Sequence, residues 1–328
     1  MHKFPSIDSF YQVARYLDKS GQLPRSVVTY RGTVKLHGTN AGVRCTPSEL
    51  IPQSRTKERN DSFGFATFVS KHEKSIRKIE DSVRRELSID PEFDIVLFGE
   101  WVGPGIQKGV AVNSLPERQW VLFSVHAEVE KGQPLVPVPA LDAIVTSPGL
   151  IHSILAVPSY TLRVDFSSSE SRSSFMEEVM SITANVEDCC PWGENFGIRG
   201  TGEGVVWTPM WEHFGNPVLP FKSKGEKHKM VAPRKKGPQM SPEKLESVDA
   251  FVKYAVSKAR LAQGIFFLKE EGHPLDVTST GTFLKWLAND IQKECTLDLE
   301  ESGLTYKDVN KKVMTLGRDF FKSQLDSF

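Results

Sequence analysis

Thr33-Val34-Lys35-Leu36-His37-Gly38-Thr39-Asn40 is the stretch that most restricts how this chain can fold. Before it, Val27 to Val34 is rich in β-branched and aromatic residues and predicts a strand. The two-residue period places Lys35 at the strand end, on one face with Thr33 and Arg31. Gly38 permits a tight turn and a close backbone approach, and Gly42 to Cys45 continues extended. The fold must therefore surround a lysine held at the end of a strand. An amine is a nucleophile only when neutral, so a site that uses Lys35 must disfavour its charge, by desolvation or by nearby cations.

Three further segments put charged residues beside buried strands. Asp94-Ile95-Val96-Leu97-Phe98-Gly99-Glu100 is an apolar run ending in a carboxylate, a buried strand that delivers one acid to a cleft. Glu203-Gly204-Val205-Val206-Trp207 begins a strand with an acid and a glycine. In Phe221-Lys222-Ser223-Lys224, strand periodicity points both lysines to one face. Each pattern alone is common, and an isolated Lys-x-Lys is usually solvated.

In this order the segments resemble the motifs of the covalent nucleotidyltransferases, in the form found in the RNA ligase 2 family of nick-sealing enzymes, many of them from bacteriophages. The resemblance covers Val27 to Lys224. It rests on Lys-x-His-Gly-Thr-Asn from Lys35, on Phe98-Gly99-Glu100-Trp101-Val102-Gly103-Pro104-Gly105-Ile106-Gln107, on Glu203-Gly204 and on Lys222-x-Lys224. It implies an α+β fold: a nucleotidyltransferase (ATP-grasp-like ligase) domain of antiparallel sheets with flanking helices, followed by a small all-α domain. It implies Lys35 as the nucleophile on ATP, with His37 and Asn40 near the transferred phosphate. Glu100 would bind the ribose, Glu203 would hold or orient Mg²⁺ (or Mn²⁺), and Lys222 and Lys224 would offset phosphate charge. Val34, where some relatives carry an acid, would contribute through its backbone. Arg55 would contact the RNA end or its phosphate, although it reads equally as an exposed loop arginine. Phe123, a core residue by placement in the strand Trp120 to Val125, would stack on adenine and face the same side as Val121 and Val125. The partner implied is RNA, nicked duplex above all. DNA ligases and capping enzymes usually carry Asp where His37 stands, so they are rival readings, as is an inactive RNA-binding relative.

Composition narrows the setting. Lys and Arg number 41 against 41 Asp and Glu, so any nucleic-acid contact must come from local patches. Cys45, Cys189, Cys190 and Cys295 form neither a disulfide framework nor zinc-ligand spacing. A reducing cytoplasm, no membrane anchor and a monomer are the expectations.

The remaining segments predict helices over 6–20 (N-cap Ser6, inward Phe10, Val13, Ala14 and Leu17), 70–87 (capping box Ser70/Glu73, its charges a solvated face) and 168–186 (Phe175, Val179, Ile182 inward). Ser62-Phe63-Gly64-Phe65 reads as core packing, and residues 134–158, with five prolines, as loops and short strands. From Lys222 to Lys236, seven basic residues face one acid, which predicts domains at 1–232 and 241–328 joined by a basic linker at 233–240. The tail predicts a helix from Ser241-Pro242-Glu243 with Leu245, Val248, Val252 and Ala255 as its stripe. Two more follow, at 280–294 and 305–325, the last boxed by Thr305 and Asp308. Contributing none of the motifs, the tail should serve RNA rather than ATP.

Overall fold

A computed structural model describes residues 1–59, 61–144, 149–228 and 248–325. They fall into two compact units, Met1–Gly225 and Glu226–Phe328. The expected linker at 233–240, the helix start at Ser241 and the stripe residue Leu245 lie outside the described residues.

The first unit opens with α1 (Phe10–Ser20), whose buried face is Phe10, Val13, Ala14 and Leu17. It starts later than expected because Ser9, not Ser6, has a glutamine three residues on: Ser9 and Gln12 form the capping box, and Gly21 closes the helix at φ 67°. β1 (Val28–Lys35) follows, with Val28, Tyr30 and Val34 buried and Arg31, Thr33 and Lys35 half-buried on the other face. Then come β2 (Thr39–Cys45), β3 (Leu50–Ser54), α2 (Phe65–Lys71), α3 (Glu73–Leu87), β4 (Ile95–Val102), β5 (Gln119–Ala127), β6 (Val136–Val138), β7 (Ile151–Ser153) and β8 (Tyr160–Val164). α4 (Ser169–Asp188), α5 (Pro191–Glu194), β9 (Gly204–Pro209) and β10 (Phe221–Lys224) complete it.

Two sheets result. One runs β10-β9-β1-β8 and is antiparallel throughout. The other runs β3-β2-β4-β5-β6, antiparallel along that path, with β7 parallel to β5. This is the α+β architecture of antiparallel sheets and flanking helices that the motifs imply. β8 was not anticipated, yet it completes the lysine strand's second edge. Gly32 has a packing reason: a Cβ there would lie 2.7 Å from the Trp207 indole, so the strand passes too close to that ring for any side chain.

Three expectations need correction. The helix expected over 70–87 is two helices. Ser70 lies inside α2, and α3 begins at Glu73 behind His72, which makes no side-chain cap. Packing explains the earlier helix: Phe65 and Phe68 set their rings 5.5 and 4.6 Å from Trp101, burying a segment that periodicity had left outside. Nor is α3's charge only a solvated face, since Glu80 is 4% exposed and held by Arg77 and Arg84. The third correction concerns β5. Its register with β4 shifts between Phe98 and Gly99, pairing Val121 with Glu100 but Val125 with Leu97. Partners an odd number of residues apart point to opposite faces, so the bulge turns Val125 away from Val121. In α4, Thr183 and Val186 join Phe175 and Val179 in the core, while Ile182 is half-buried.

The second unit's described residues form α6 (Val248–Ala255), α7 (Lys258–Glu270), α8 (Thr280–Glu294), α9 (Thr296–Glu301) and α10 (Tyr306–Leu325). α8 and α10 match the predicted spans, and Asp308 accepts from Thr305 N at 2.7 Å as the capping box requires. α7 and α9 were missed. Gly264 weakens α7's helical signal, but a Cβ there would meet Phe283 and Trp286 at 2.6 and 2.9 Å, so the glycine lets α8 pack close. The core is Phe251, Leu261, Leu268, Phe283, Leu287, Ile291, Val309, Val313 and Phe321 with their neighbours. Among the described residues no helix is long and apolar enough to cross a membrane.

Candidate active site

Strand register assembles the charged residues. β1 and β9 pair Lys35 with Gly204, and β9 and β10 pair Gly204 with Lys224 and Val206 with Lys222. Paired residues share a face, so Lys35, Lys222 and Lys224 emerge together, with Glu203 one step before β9. Val34 is 3% exposed and points into the core, leaving only its backbone for the cleft.

Glu203 is the hub and is 2% exposed. Its Oε2 accepts from Lys35 Nζ at 2.6 Å and lies 3.2 Å from His37 Nδ1, while Oε1 lies 3.1 Å from Lys224 Nζ. Burial alone would raise the carboxyl's pKa, but Lys35, Lys224 and His37 outweigh it and hold the group well below the ordinary carboxylate range. It is therefore a permanent anion at neutral pH. Gly204, at φ 151°, passes so near β10 that a Cβ would lie 2.1 Å from Ser223 O, which fixes the backbone beside the hub.

The second sheet holds the loop after Lys35. Glu100 Oε1 accepts the Gly38 N–H at 3.0 Å, and Gln107 Nε2 donates to Gly38 O at 3.3 Å. A Cβ on Gly38 would sit 2.3 Å from Trp101 O, so only glycine passes here. The turn is thus clamped from both sides: Glu203 takes Lys35 and His37, and Glu100 takes Gly38. Asn40 pairs with Glu100 across β2 and β4, and its Oδ1 is buried with no hydrogen-bond partner among the described residues, an acceptor whose desolvation a ligand donor would offset.

Phe123 sits at the β5 bulge, half-buried, with the Phe4 ring edge-on at 5.0 Å. Phe4 also packs on Phe98 at 5.2 Å, which places Phe123 on the face that carries Glu100. Arg55 is exposed just past β3 and donates to Ser6 Oγ at 3.1 Å; it is not drawn into the cluster around Glu203.

Sequence reasoning missed a buried polar network behind the lysines. Ser223, between Lys222 and Lys224, takes the Trp207 Nε1 hydrogen bond at 3.0 Å and lies 2.6 Å from Thr183 Oγ1. Alternation along β10 carried this signal, because a residue between two cleft-facing lysines must face the core. Phe4 and Gln107's bond to Gly38 were also missed; nothing local to residues 1–6 marks a wall of the second sheet.

Among the described residues no group of three or more His, Cys, Asp or Glu could hold a metal alone. A single carboxylate still fits Mg²⁺, which is commonly bound through one or two carboxylates, with substrate phosphates and water completing its shell.

The chain matches solved structures of Naegleria gruberi RNA ligase mutants. One with AMP and Mn is 16% identical, covers 69% of this chain and 56% of that chain, and has a TM-score of 0.45. Another with ATP and Mn is 16% identical, covers 69% of this chain and 59% of that chain, and also has a TM-score of 0.45. This chain therefore spans a little over half the length of those ligases. The RNA ligase family's sequence model matches residues 28–224, from the first residue of β1 to Lys224 at the end of β10. With the matched segment covering more than half of the protein and containing the lysine turn, both clamping carboxylates and the paired lysines, the chain belongs to the RNA ligase family.

Proposed function

We infer that the protein is an ATP-dependent RNA ligase that joins a 3′-hydroxyl to a 5′-phosphate, at nicks in duplex RNA, through a lysyl-AMP intermediate on Lys35. The observation that carries this reading is the Lys35–Glu203–Lys224 cluster with Lys222 on the same face. Three lysines brought to one face, beside the carboxylates Glu203 and Glu100, suit a polyphosphate.

Lys35 N attacks the α-phosphorus of ATP, the P–O bond to pyrophosphate breaks, and Lys35 gives up a proton. Glu203 Oε2 holds Lys35 Nζ at 2.6 Å, so that pairing must loosen before attack. Lys222 and Lys224 offset negative charge on the phosphates, a role of pre-placed electrostatics rather than covalent chemistry. A divalent cation held by Glu203 would supply further charge neutralisation at the α-phosphate. Glu100 and the Gly38 backbone keep the turn in one geometry, and Phe123 offers a flat ring for adenine. AMP then passes to the 5′-phosphate of RNA, breaking the P–N bond. Finally the 3′-hydroxyl attacks that phosphate and expels AMP.

His37 next to Glu203, in place of the acid usual in DNA ligases and capping enzymes, favours the RNA-joining reading. A side-by-side assay on nicked duplex RNA, nicked duplex DNA and single-stranded RNA tests it: nicked duplex RNA should be sealed fastest. Transfer from GTP, or preference for DNA, would defeat the proposal.

A further inference from the structure

One strained backbone in the first unit plays no part in the site as described so far. Phe63 stands at φ 53° and ψ 30°, in the left-handed region that a bulky residue rarely adopts. Gly64 follows at φ 72°, and its N–H donates to Asp61 O at 2.9 Å, closing a tight turn. Such a conformation persists only where its surroundings over-determine it. Here two side chains share one carbonyl: Phe63 O accepts from Trp101 Nε1 at 3.1 Å and from Arg118 Nη1 at 2.6 Å. Both donors lead to the glycine beside the nucleophile. Trp101's own carbonyl lies against Gly38, where no Cβ fits. Arg118 reaches Gly38 by way of the loop 103–107. Its Nε donates to Pro104 O at 3.0 Å, and its Cα lies 2.7 Å from where a Cβ on Gly103 would stand. Three residues past Pro104, Gln107 Nε2 donates to Gly38 O at 3.3 Å. One half-buried guanidinium thus ties the strained turn to the loop whose far end clamps the Lys35 turn.

We propose that Arg118 is a positioning residue for the Lys35 turn and, through that turn, for AMP transfer, the second half of which rests on the ligase reading. A guanidinium presents its donors in one rigid plane. Nε and Nη1 therefore hold Pro104 O and Phe63 O at a fixed separation, and Gln107 stays within reach of Gly38. A misplacement of about 1 Å at a reacting group can cost about 10²-fold in rate, so slack in the Gly38 turn is felt at Lys35. The strain at Phe63 makes the device sensitive. Without the fork, the turn can relax toward an ordinary conformation, which withdraws the acceptor from Trp101 and frees Pro104 at once. Lysine is no substitute, because one ammonium on a flexible stem cannot fix two carbonyls.

The test follows single-turnover AMP transfer to Lys35 in the full chain across ATP concentrations. In Arg118→Ala and Arg118→Lys the rate at saturating ATP should fall about 10–100-fold while the half-saturating ATP concentration moves less than about threefold, the split expected when orientation rather than binding is lost. Methylguanidinium added to Arg118→Ala should restore much of the rate, and methylammonium should not. Gln107→Ala should also slow transfer, and Arg118→Ala/Gln107→Ala should be no slower than the worse single variant, since both act through one contact. In the protein without nucleotide, amide exchange across residues 36–40 should quicken in Arg118→Ala. It should not quicken in Arg85→Ala, whose guanidinium donates to Asp81 O on the exposed side of α3. An unchanged rate in Arg118→Ala, full activity in Arg118→Lys, or a multiplicative loss in the double variant would overturn the proposal. So would a loss confined to the half-saturating ATP concentration. If Arg118→Ala does not fold, Arg118→Lys, which keeps the side-chain stem, carries the same rate and exchange readings. If the wild type takes up no AMP yet exchange across 36–40 depends on Arg118, the ligase reading fails and the positioning of the turn stands.

Discussion

Glu80 and Glu203 are both buried carboxylates, 4% and 2% exposed, and cations grip both. They differ in who holds them. Glu80's partners are Arg77 and Arg84, one turn away on its own helix at 2.7 Å each. Those arginines also donate to Thr46 O, Asp90 O and Phe93 O, so the network ties α3 to neighbouring loops. Glu203's partners are Lys35, His37 and Lys224, the first two from the far side of the chain, and Lys35 and His37 remain 24% and 25% exposed. An arginine stays charged and fixed in a fork, but a lysine can surrender its proton and become a nucleophile. Burial and ion pairing alone therefore do not mark a site; a cluster becomes chemical when its cations are lysines gathered at strand ends and still reachable.

The sharpest way to break this contrast is to remove each acid. Glu80→Ala strands two arginines and should cost about 3–5 kcal/mol of stability, measured by denaturant unfolding, while the protein that remains folded adenylylates normally. Glu203→Ala should do the reverse. Its lysines can hydrate, so stability should fall by less than for Glu80→Ala, but AMP transfer to Lys35 should slow by about 10²–10³, a loss typical of removing a pre-placed charge. Equal effects from both substitutions would erase the distinction.

Acid titration of stability sharpens it further. His126 is buried and its pKa is lowered to about 4, by burial first and His2 second. Its folded pKa lies below the unfolded value of about 6.5, so the unfolded state binds the proton first. Up to about 3 kcal/mol should be lost as pH falls from about 6.5 to 4, and His126→Gln should flatten that slope. Glu203, held well below the ordinary carboxylate range by Lys35, Lys224 and His37 despite its burial, contributes stability in that range and above and loses it as pH falls through its depressed folded value. Two stages of acid loss, each abolished by its own variant, are expected.

The smallest effect concerns Arg55. Held by Ser6 outside the Glu203 cluster, it should be dispensable for AMP uptake. Arg55→Ala is expected to seal nicks about tenfold more slowly, roughly one charge-assisted hydrogen bond to RNA, with adenylylation unchanged. Loss of both steps would move Arg55 into the nucleotide site.

Much of the catalytic sheet was legible because its strands alternate cleanly: period alone puts Lys222 and Lys224 on one face of their strand, and it is the register that brings Lys35 from β1 to that same face. What the sequence hid was non-local. The β5 bulge leaves no mark in residues 119–127, so Val125's turn to the other face could not be foreseen. α2 was missed because its aromatic burial depends on Trp101 and Trp120, more than thirty residues away. α7 escaped because Gly264, a helix-weakening residue in isolation, is required by its partner helix. Of the expected site residues, Lys35, His37, Glu203 and Lys224 share one hydrogen-bonded and charged cluster. Glu100 reaches the same turn through Gly38, whereas Arg55 stays apart because its partner is set by the path of residues 1–6.

The most direct test is the identity of the nucleophile. After incubation with ATP and Mg²⁺, intact-protein and peptide mass spectrometry should find one AMP per chain, attached to Lys35. Lys35→Ala and Lys35→Arg should both be folded and unmodified, since neither offers a neutral amine. AMP on any other lysine, or sealing of nicked RNA by Lys35→Ala, would contradict the account.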